Sequence, residues 1–315
     1  MNKVKIDCYL KQNADILIKY SSFISNIGLF NGKMGIAIFL YRYANYTKEK
    51  SYELYANELL DEIIDDLHAG MPVRIEDGLC GIRLGIEYLL KKKYINIDSN
   101  DLYVELDHFI ENYELDDICE RGAFAKGMYW VLLKNQDLNS HEFSNILDKL
   151  ISELLKVNCE GTSLFPKMIQ SLLFIVWSCL QNEIQIEKIK SIFNELSIII
   201  ENKLFFEDFD GSVYMMFLLY KKISQLELFE KENNNNLPEH IPAFSDVLFV
   251  SKYILITDLD ISGTPDMFEN KLVQIINDKD LIDELFYLTN INNLSLDHCL
   301  TGLGWSLLEY VDKCE

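Results

Sequence analysis

The sequence predicts an all-α fold, an (α/α) toroid of about seven helical hairpins with a glycine-rich loop before each inner helix. Two observations lead to this prediction. Glycine-rich stretches return at a regular distance along the 315-residue chain, and each is followed by an apolar run with helical spacing. Between them lie amphipathic stretches that carry charged residues on one face and Leu or Ile on the other.

Four glycine-rich stretches align without gaps and define the repeat. They cover residues 28–40 (GLFNGKMGIAIFL), 78–90 (GLCGIRLGIEYLL), 122–134 (GAFAKGMYWVLLK) and 299–311 (CLTGLGWSLLEYV). The positions six, eight and eleven residues after each start are apolar in all four copies, which is typical of one helix face. Each copy therefore predicts a loop of small residues followed by a buried helix.

The distances between these starts predict three further copies. The first three starts lie 50 and 44 residues apart, and the 177 residues from 122 to 299 are close to four steps of 44. Copies are therefore expected near 166, 210 and 254. A glycine precedes an apolar run near the first two positions, whereas the stretch 240–256 has none. With this degraded copy included, the chain has seven units.

The loop glycines are expected to let the chain turn sharply where seven loops crowd together at one end of a central cavity. The glycines of the four clear copies are Gly28, Gly32, Gly35, Gly78, Gly81, Gly85, Gly122, Gly127, Gly302 and Gly304. Their role in this prediction is structural.

The amphipathic stretches at 51–68, 101–113, 140–157 and 183–204 are predicted to form the outer helices. The inner helices are apolar all round and must therefore be buried on every side. A closed ring of hairpins achieves this, and an open helical solenoid is the alternative. No break in composition divides the chain, so residues 1–315 are expected to form a single domain.

The composition of the chain limits its partners. Its formal charge is −21, from 29 basic and 50 acidic side chains. Such a surface repels phosphate backbones and anionic lipids, so we expect no nucleic acid partner and no membrane insertion, whereas a neutral or basic peptide is tolerated. The seven cysteines form no C-x-x-C pair and the first residues lack a signal-type apolar core, so reduced thiols and a cytoplasmic location are expected.

The loops at 28–40, 78–90 and 300–310 resemble the repeated G-x-x-G-x-G loops of the lanthionine synthetase C-like family. This resemblance implies an (α/α) toroid and work on ribosomally made precursor peptides. In the family, a cyclase adds a cysteine thiol of the peptide to a dehydrated Ser or Thr and so forms a thioether. Family enzymes bind and acidify that thiol with zinc, which is sound chemistry because the thiolate is the nucleophile.

The zinc-ligand motifs of the family are missing from this sequence. The family takes its ligands from a W-C-x-G loop and from a C-H-G loop in the next repeat. Here the fifth loop reads FEDFDGSVY (206–214), and the sixth offers His240 and Pro242 without an adjacent cysteine. We therefore expect a peptide-modification protein of the thioether-cyclase type with a divergent or lost zinc site. The alternative is a non-catalytic scaffold for the precursor peptide or for a modifying enzyme.

A rearranged zinc site is a separate hypothesis. His298 and Cys299 are adjacent in the seventh loop and Cys80 lies in the second, and thiolate with imidazole is a good ligand set for zinc. In the alternative interpretation, Cys299 is a small apolar residue in the place of a loop glycine. A toroidal glycoside hydrolase is the most remote alternative, and its candidate loop carboxylates are Asp208, Asp210 and Asp297.

Three cations beside the glycine loops, Lys33, Arg83 and Arg121, are candidates for peptide binding. Lys33 and Arg83 occupy the same position after their repeat starts, so they would meet at the mouth of the cavity. A cationic patch there would hold a carboxylate of a peptide. In the alternative interpretation the cations only balance nearby loop acids, namely Glu76, Asp77, Glu120 and Asp297.

Overall fold

The computed structural model describes residues 3–30, 32–96, 100–113, 122–206, 212–226 and 300–314. These residues form α-helices with one isolated parallel bridge between Leu164 and Phe205 and no β-strand. The predicted all-α fold class is confirmed. The helices are α1 Lys3–Tyr20, α2 Lys33–Thr47, α3 Lys50–Asp65, α4 Leu79–Lys91, α5 Asn100–Glu111, α6 Gly122–Leu133, α7 His141–Glu160, α8 Pro166–Gln181, α9 Ile186–Glu201, α10 Ser212–Ser224 and α11 Leu300–Cys314.

Buried and amphipathic helices alternate along the chain as predicted. In α2, every residue from Lys33 to Ala44 is buried. In α3, by contrast, only one face is buried, formed by Tyr52, Ala56, Leu59, Leu60 and Ile63. Because α2, α4 and α6 begin within the glycine-rich stretches 28–40, 78–90 and 122–134, the repeat places each buried helix correctly.

The helix α1 was not predicted, because no glycine-rich loop precedes it. Its buried apolar residues are nevertheless spaced four, four and three positions apart, at Ile6, Leu10, Ala14 and Leu17. This spacing is typical of a helix with one apolar face. That face packs against α2 and α11.

Local signals fix several helix ends. Ser140 caps the N-terminus of α7, where its hydroxyl accepts a hydrogen bond from the backbone N–H of Phe143 at 3.2 Å. Gly161 ends the same helix with a left-handed backbone conformation, φ 65°. Pro166 opens α8, where its missing N–H costs no hydrogen bond.

The chain divides into two compact units, Met1–Ile110 with Val247–Glu315, and Glu111–Asp246. In the first unit α2 packs against α3, α4 and α11. In the second unit α8 packs against α6, α9 and α10. The single domain over residues 1–315 and the closed ring of about seven hairpins both remain predictions, and the sixth copy near 254 lies outside the described residues.

Candidate functional site

The glycine-rich loops before α2 and α4 lie directly against each other. The backbone N–H of Phe30 donates to the carbonyl oxygen of Glu76 at 2.8 Å. Within the first loop, the side chain of Asn26 accepts from the N–H of Gly28 at 2.7 Å, and its carbonyl accepts from the N–H of Lys33 at 2.9 Å. We call residues 26–30, 32 and 72–81 the loop pair. Two loops that are about 50 residues apart in sequence thus form one surface, as the repeat predicts.

Glycine is needed in the loop pair because of close packing. A Cβ atom on Gly28 would lie 2.2 Å from the Cα of Asp77, and one on Gly78 would lie 2.1 Å from the carbonyl oxygen of Pro72. These distances leave no room for a side chain. Gly32 and Gly78 have extended backbones, with φ of −147° and −129°. The chain bends at both positions, as predicted, but without a left-handed backbone conformation, since among the described glycines only Gly161 has a positive φ.

Further glycines of the repeat lie inside helices at close contacts with neighbouring elements. A Cβ on Gly85 would lie 2.5 Å from Met34 Cγ, and one on Gly127 would lie 2.6 Å from Ile175 Cδ1. The Cβ of an alanine at position 304 would lie 2.4 Å from Phe39 Cε2. Close contacts also surround Gly32 and Gly81, while Gly35, Gly122 and Gly302 are buried. The repeat thus marks positions where packed elements approach each other closely.

Arg83 is buried within α4, and neighbouring side chains bind its guanidinium at two of its nitrogens and at one face. Its Nε donates to Asp107 Oδ1 of α5 at 3.0 Å, and its Nη1 donates to Glu87 Oε2 of its own helix at 3.0 Å. The guanidinium carbon also lies 3.8 Å from the ring centroid of Tyr103. Two carboxylates and an aromatic face are strong partners for a buried arginine.

The phenol of Tyr103 is affected by the same cluster. Burial raises the pKa of Tyr103 to about 12, while the adjacent Arg83 lowers it and the carboxylates of Glu87 and Asp107 raise it. The phenol therefore stays protonated at neutral pH. It does not serve as a base, and its ring serves as a packing surface for the guanidinium.

Lys33 is similarly buried and its ammonium group pairs with the carboxylate of Glu62 on α3. Among the loop acids expected to balance the cations, Asp77 binds Arg74 through two hydrogen bonds of 2.8 Å. The partners of Lys33 and Arg83 thus come from helices rather than from the loops. Arg121, Glu120 and Asp297 lie outside the described residues.

The residues considered for metal binding are only partly described. Cys80 is buried near the start of α4, and His298 and Cys299 lie outside the described residues. In the part of the chain that the structure describes, no group of three or more His, Cys, Asp or Glu side chains could hold a metal ion. Burial raises the pKa of Cys179 to about 12, so this thiol stays protonated at neutral pH.

The carboxylates considered for a glycoside hydrolase site cannot be placed in the structure either. Asp208, Asp210 and Asp297 all lie outside the described residues. The hypothesis therefore receives no support from the structure. It stays the most remote of the alternatives.

Another buried cation, Lys126 of α6, was not among the predicted residues. Its ammonium group donates to the carbonyl oxygens of Glu111 at 2.9 Å and Tyr113 at 2.6 Å. Glu111 is the last residue of α5, so Lys126 satisfies carbonyl groups at a helix end. The signal was present in the sequence, because a lysine within an apolar run is costly to bury without such partners.

The fold and the glycine-rich segments define a class of protein: an all-helical chain whose repeated glycines lie in the loops before buried helices or in the first turns of those helices. The chain matches the family described as lanthionine synthetase C-like protein over residues 24–203, which is more than half of its length. It belongs to this family.

Two other comparisons gave no match. No curated protein is significantly similar to the chain. No solved structure is significantly similar to it either. Among the described residues, no helix has both the length and the apolar character that crossing a bilayer requires.

Proposed function

We propose that this protein acts in the modification of ribosomally made peptides, as a lanthionine synthetase C-like protein that binds a precursor peptide in the cytoplasm. The observation that carries the proposal is the family match over residues 24–203, which contains the loop pair. The repeat and the contact of α11 with α2 support a ring of hairpins, because an open solenoid would not bring its last repeat to its first.

The residues of this chain do not fit the zinc site that the family implies. No cysteine occurs between Cys179 and Cys299, the region in which the fifth and sixth loops of family enzymes supply their ligands. Thiolate and imidazole are the ligands that such a site needs. The proposed role is therefore peptide binding. The thioether-cyclase role is the second candidate and depends on a rearranged site at His298, Cys299 and Cys80.

The cations that we considered for peptide binding are poor candidates for direct contact. Lys33 and Arg83 are buried and neutralised by carboxylates, so neither offers an uncompensated charge to a peptide carboxylate. Their proposed role is to fix α2 and α4 against α3 and α5. The acidic charge of −21 favours a neutral or basic peptide instead.

Metal analysis together with a peptide assay tests these roles. The probe is a basic synthetic peptide with one dehydroalanine and one cysteine, and its thioether formation is followed as loss of the alkylatable thiol. We expect binding of this peptide, less than stoichiometric zinc and an unchanged thiol. Stoichiometric zinc and thiol loss that disappear in Cys299→Ala, but persist in the exposed-cysteine control Cys159→Ala, would establish the cyclase instead. Absence of both binding and thiol loss would refute the proposal.

A further inference from the structure

A pocket of about 470 Å³ lies at the C-terminal end of α2. This volume falls in the range of small-ligand sites. The loop pair precedes the other end of α2, and the 15 residues of this helix separate the two ends by roughly 22 Å at 1.5 Å per residue. The pocket is therefore distinct from the loop pair.

The inner wall of this pocket consists of Asp7, Tyr43, Tyr46 and Thr47. Tyr43 is buried and the other three residues are half-buried. Among these four residues, Asp7 is the only one with a carboxylate or an amine. The hydroxyl of Tyr46 donates to Asp7 Oδ1 at 2.6 Å, which fixes the carboxylate. The second oxygen, Oδ2, accepts no hydrogen bond from any described residue. A ligand in the pocket thus meets an oriented carboxylate with one oxygen available.

The ring of Tyr43 is held rigidly beside this carboxylate. It stacks on Phe39 at a centroid distance of 5.9 Å and meets the edge of Tyr52 at 4.7 Å. Burial raises the pKa of Tyr43, and Tyr52, Glu49 and Asp15 raise it further. Two of these groups, Glu49 and Asp15, are carboxylates, so negative charge lies near this ring. Carboxylates and the face of an aromatic ring both favour a cation.

The remaining charged residues of the pocket, Lys3, Lys48 and Glu49, are exposed. Lys48 Nζ donates to Asn45 Oδ1 at 3.2 Å, so its ammonium group is directed to another wall residue. Exposed ammonium groups on long side chains are screened by salt and can move away from an entering ligand. The carboxylate of Asp7 is half-buried and held by Tyr46, so it is screened less and cannot move away from the ligand. Its charge therefore determines which ligands bind at the inner wall.

We propose that this pocket binds the guanidinium or ammonium side chain of a peptide, with Asp7 as its counter-ion and Tyr43 and Tyr46 as its aromatic wall. The inference rests on the proposed function only for the source of that side chain. Because the pocket is about one helix length from the loop pair, a peptide that also contacts the loops would occupy the pocket with a different segment. Basic precursor peptides would gain a second anchor in this way.

The test uses N-acetyl-arginine amide as the probe and N-acetyl-citrulline amide as its neutral analogue of the same shape. Binding to the full chain is followed by NMR titration of the backbone amides of Tyr46, Thr47 and Lys48. We expect shifts at these amides with the arginine probe and affinity at least threefold weaker with the citrulline probe. Asp7→Asn keeps an oxygen that accepts from Tyr46, so it should fold normally and lose about three- to tenfold in arginine affinity.

The matched control is Glu58→Gln, which removes the same charge from an exposed position of α3 outside the pocket. It should leave arginine binding unchanged. Equal affinity for arginine and citrulline, shifts that avoid residues 43–49, or equal effects of the two variants would overturn the proposal. Tighter binding of N-acetyl-glutamate amide at the same residues would overturn it too, because the lysines would then define the site. None of these results decides whether the protein binds a precursor peptide, because the peptide assay measures that binding separately.

Discussion

The buried cations of this protein show how a single residue can suggest function in the sequence and serve packing in the structure. Arg83 stands out in an apolar helix, and this feature made it a candidate for peptide binding. Its partner Asp107 is 24 residues away, and the partner of Lys33, Glu62, is 29 residues away. Such pairs depend on how two helices dock, so the sequence located the cations without indicating their partners.

Removing one member of the Arg83 cluster should be more costly than removing the whole pair. Asp107→Ala leaves the guanidinium buried with Glu87 as its remaining carboxylate, so we expect the free energy of unfolding to fall by about 2–4 kcal/mol. The double variant Arg83→Met with Asp107→Ala should recover part of this loss, because the buried cation is then gone and the remaining carboxylate, Glu87, is partly exposed to water. Urea unfolding of the four proteins of this cycle measures the coupling.

The control for this cycle is an ion pair on the surface. Lys190 lies 3.7 Å from Glu187, whose side chain is 90 % exposed. Lys190→Met should change stability by less than about 0.5 kcal/mol. If Asp107→Ala lowers the free energy of unfolding as little as Lys190→Met does, the Arg83 cluster contributes no more to stability than a surface ion pair.

At the scale of helices and loops, most of the fold could be predicted from periodicity. The glycine-rich stretches located α2, α4 and α6, and the amphipathic stretches located α3, α5, α7 and α9. The helix α1 was not predicted, because no glycine-rich loop precedes it and its apolar face repeats only four times. The sequence also could not show why glycine is needed at these positions, because steric contact between elements depends on how they pack.

Two glycines of α4 should differ in their tolerance of alanine. A Cβ on Gly81 would lie 1.8 Å from the backbone carbonyl oxygen of Ile75, whereas one on Gly85 would meet the flexible side chain of Met34 at 2.5 Å. Gly81→Ala should cost about 3 kcal/mol or more, since backbone must move. Gly85→Ala should cost less, because Met34 can change rotamer and alanine adds up to about 1 kcal/mol of helix propensity.

Thermal unfolding followed by circular dichroism compares the two variants directly. Each glycine serves as the control for the other, because both changes add the same methyl group to the same helix. Equal melting temperatures would show that the loop pair yields as easily as a methionine side chain. The proposed close packing of the loops would then be wrong.

For the whole molecule, the most informative contact is between the two ends of the chain. The helix α11 packs against α1 and α2, which precede it by more than 250 residues. While the closed ring stays a prediction, this contact places both ends of the chain in one compact unit. The sequence predicted it only indirectly, since alignment of residues 299–311 with 28–40 identifies related units but does not show which units touch.

Trp305 should connect the stability of α11 to that of helices near the start of the chain. Its ring is 1 % exposed and stacks on Tyr88 of α4 at 5.9 Å. Trp305→Ala should lower the free energy of unfolding by about 3–5 kcal/mol through loss of this buried ring. Hydrogen exchange should then accelerate in α2 and α4 as well as in α11, because the three helices share one core.

The control for this variant is Leu54→Ala, since Leu54 is 62 % exposed and should contribute little to stability. Faster exchange confined to α11 would mean that the last helix covers the first repeats without stabilising them.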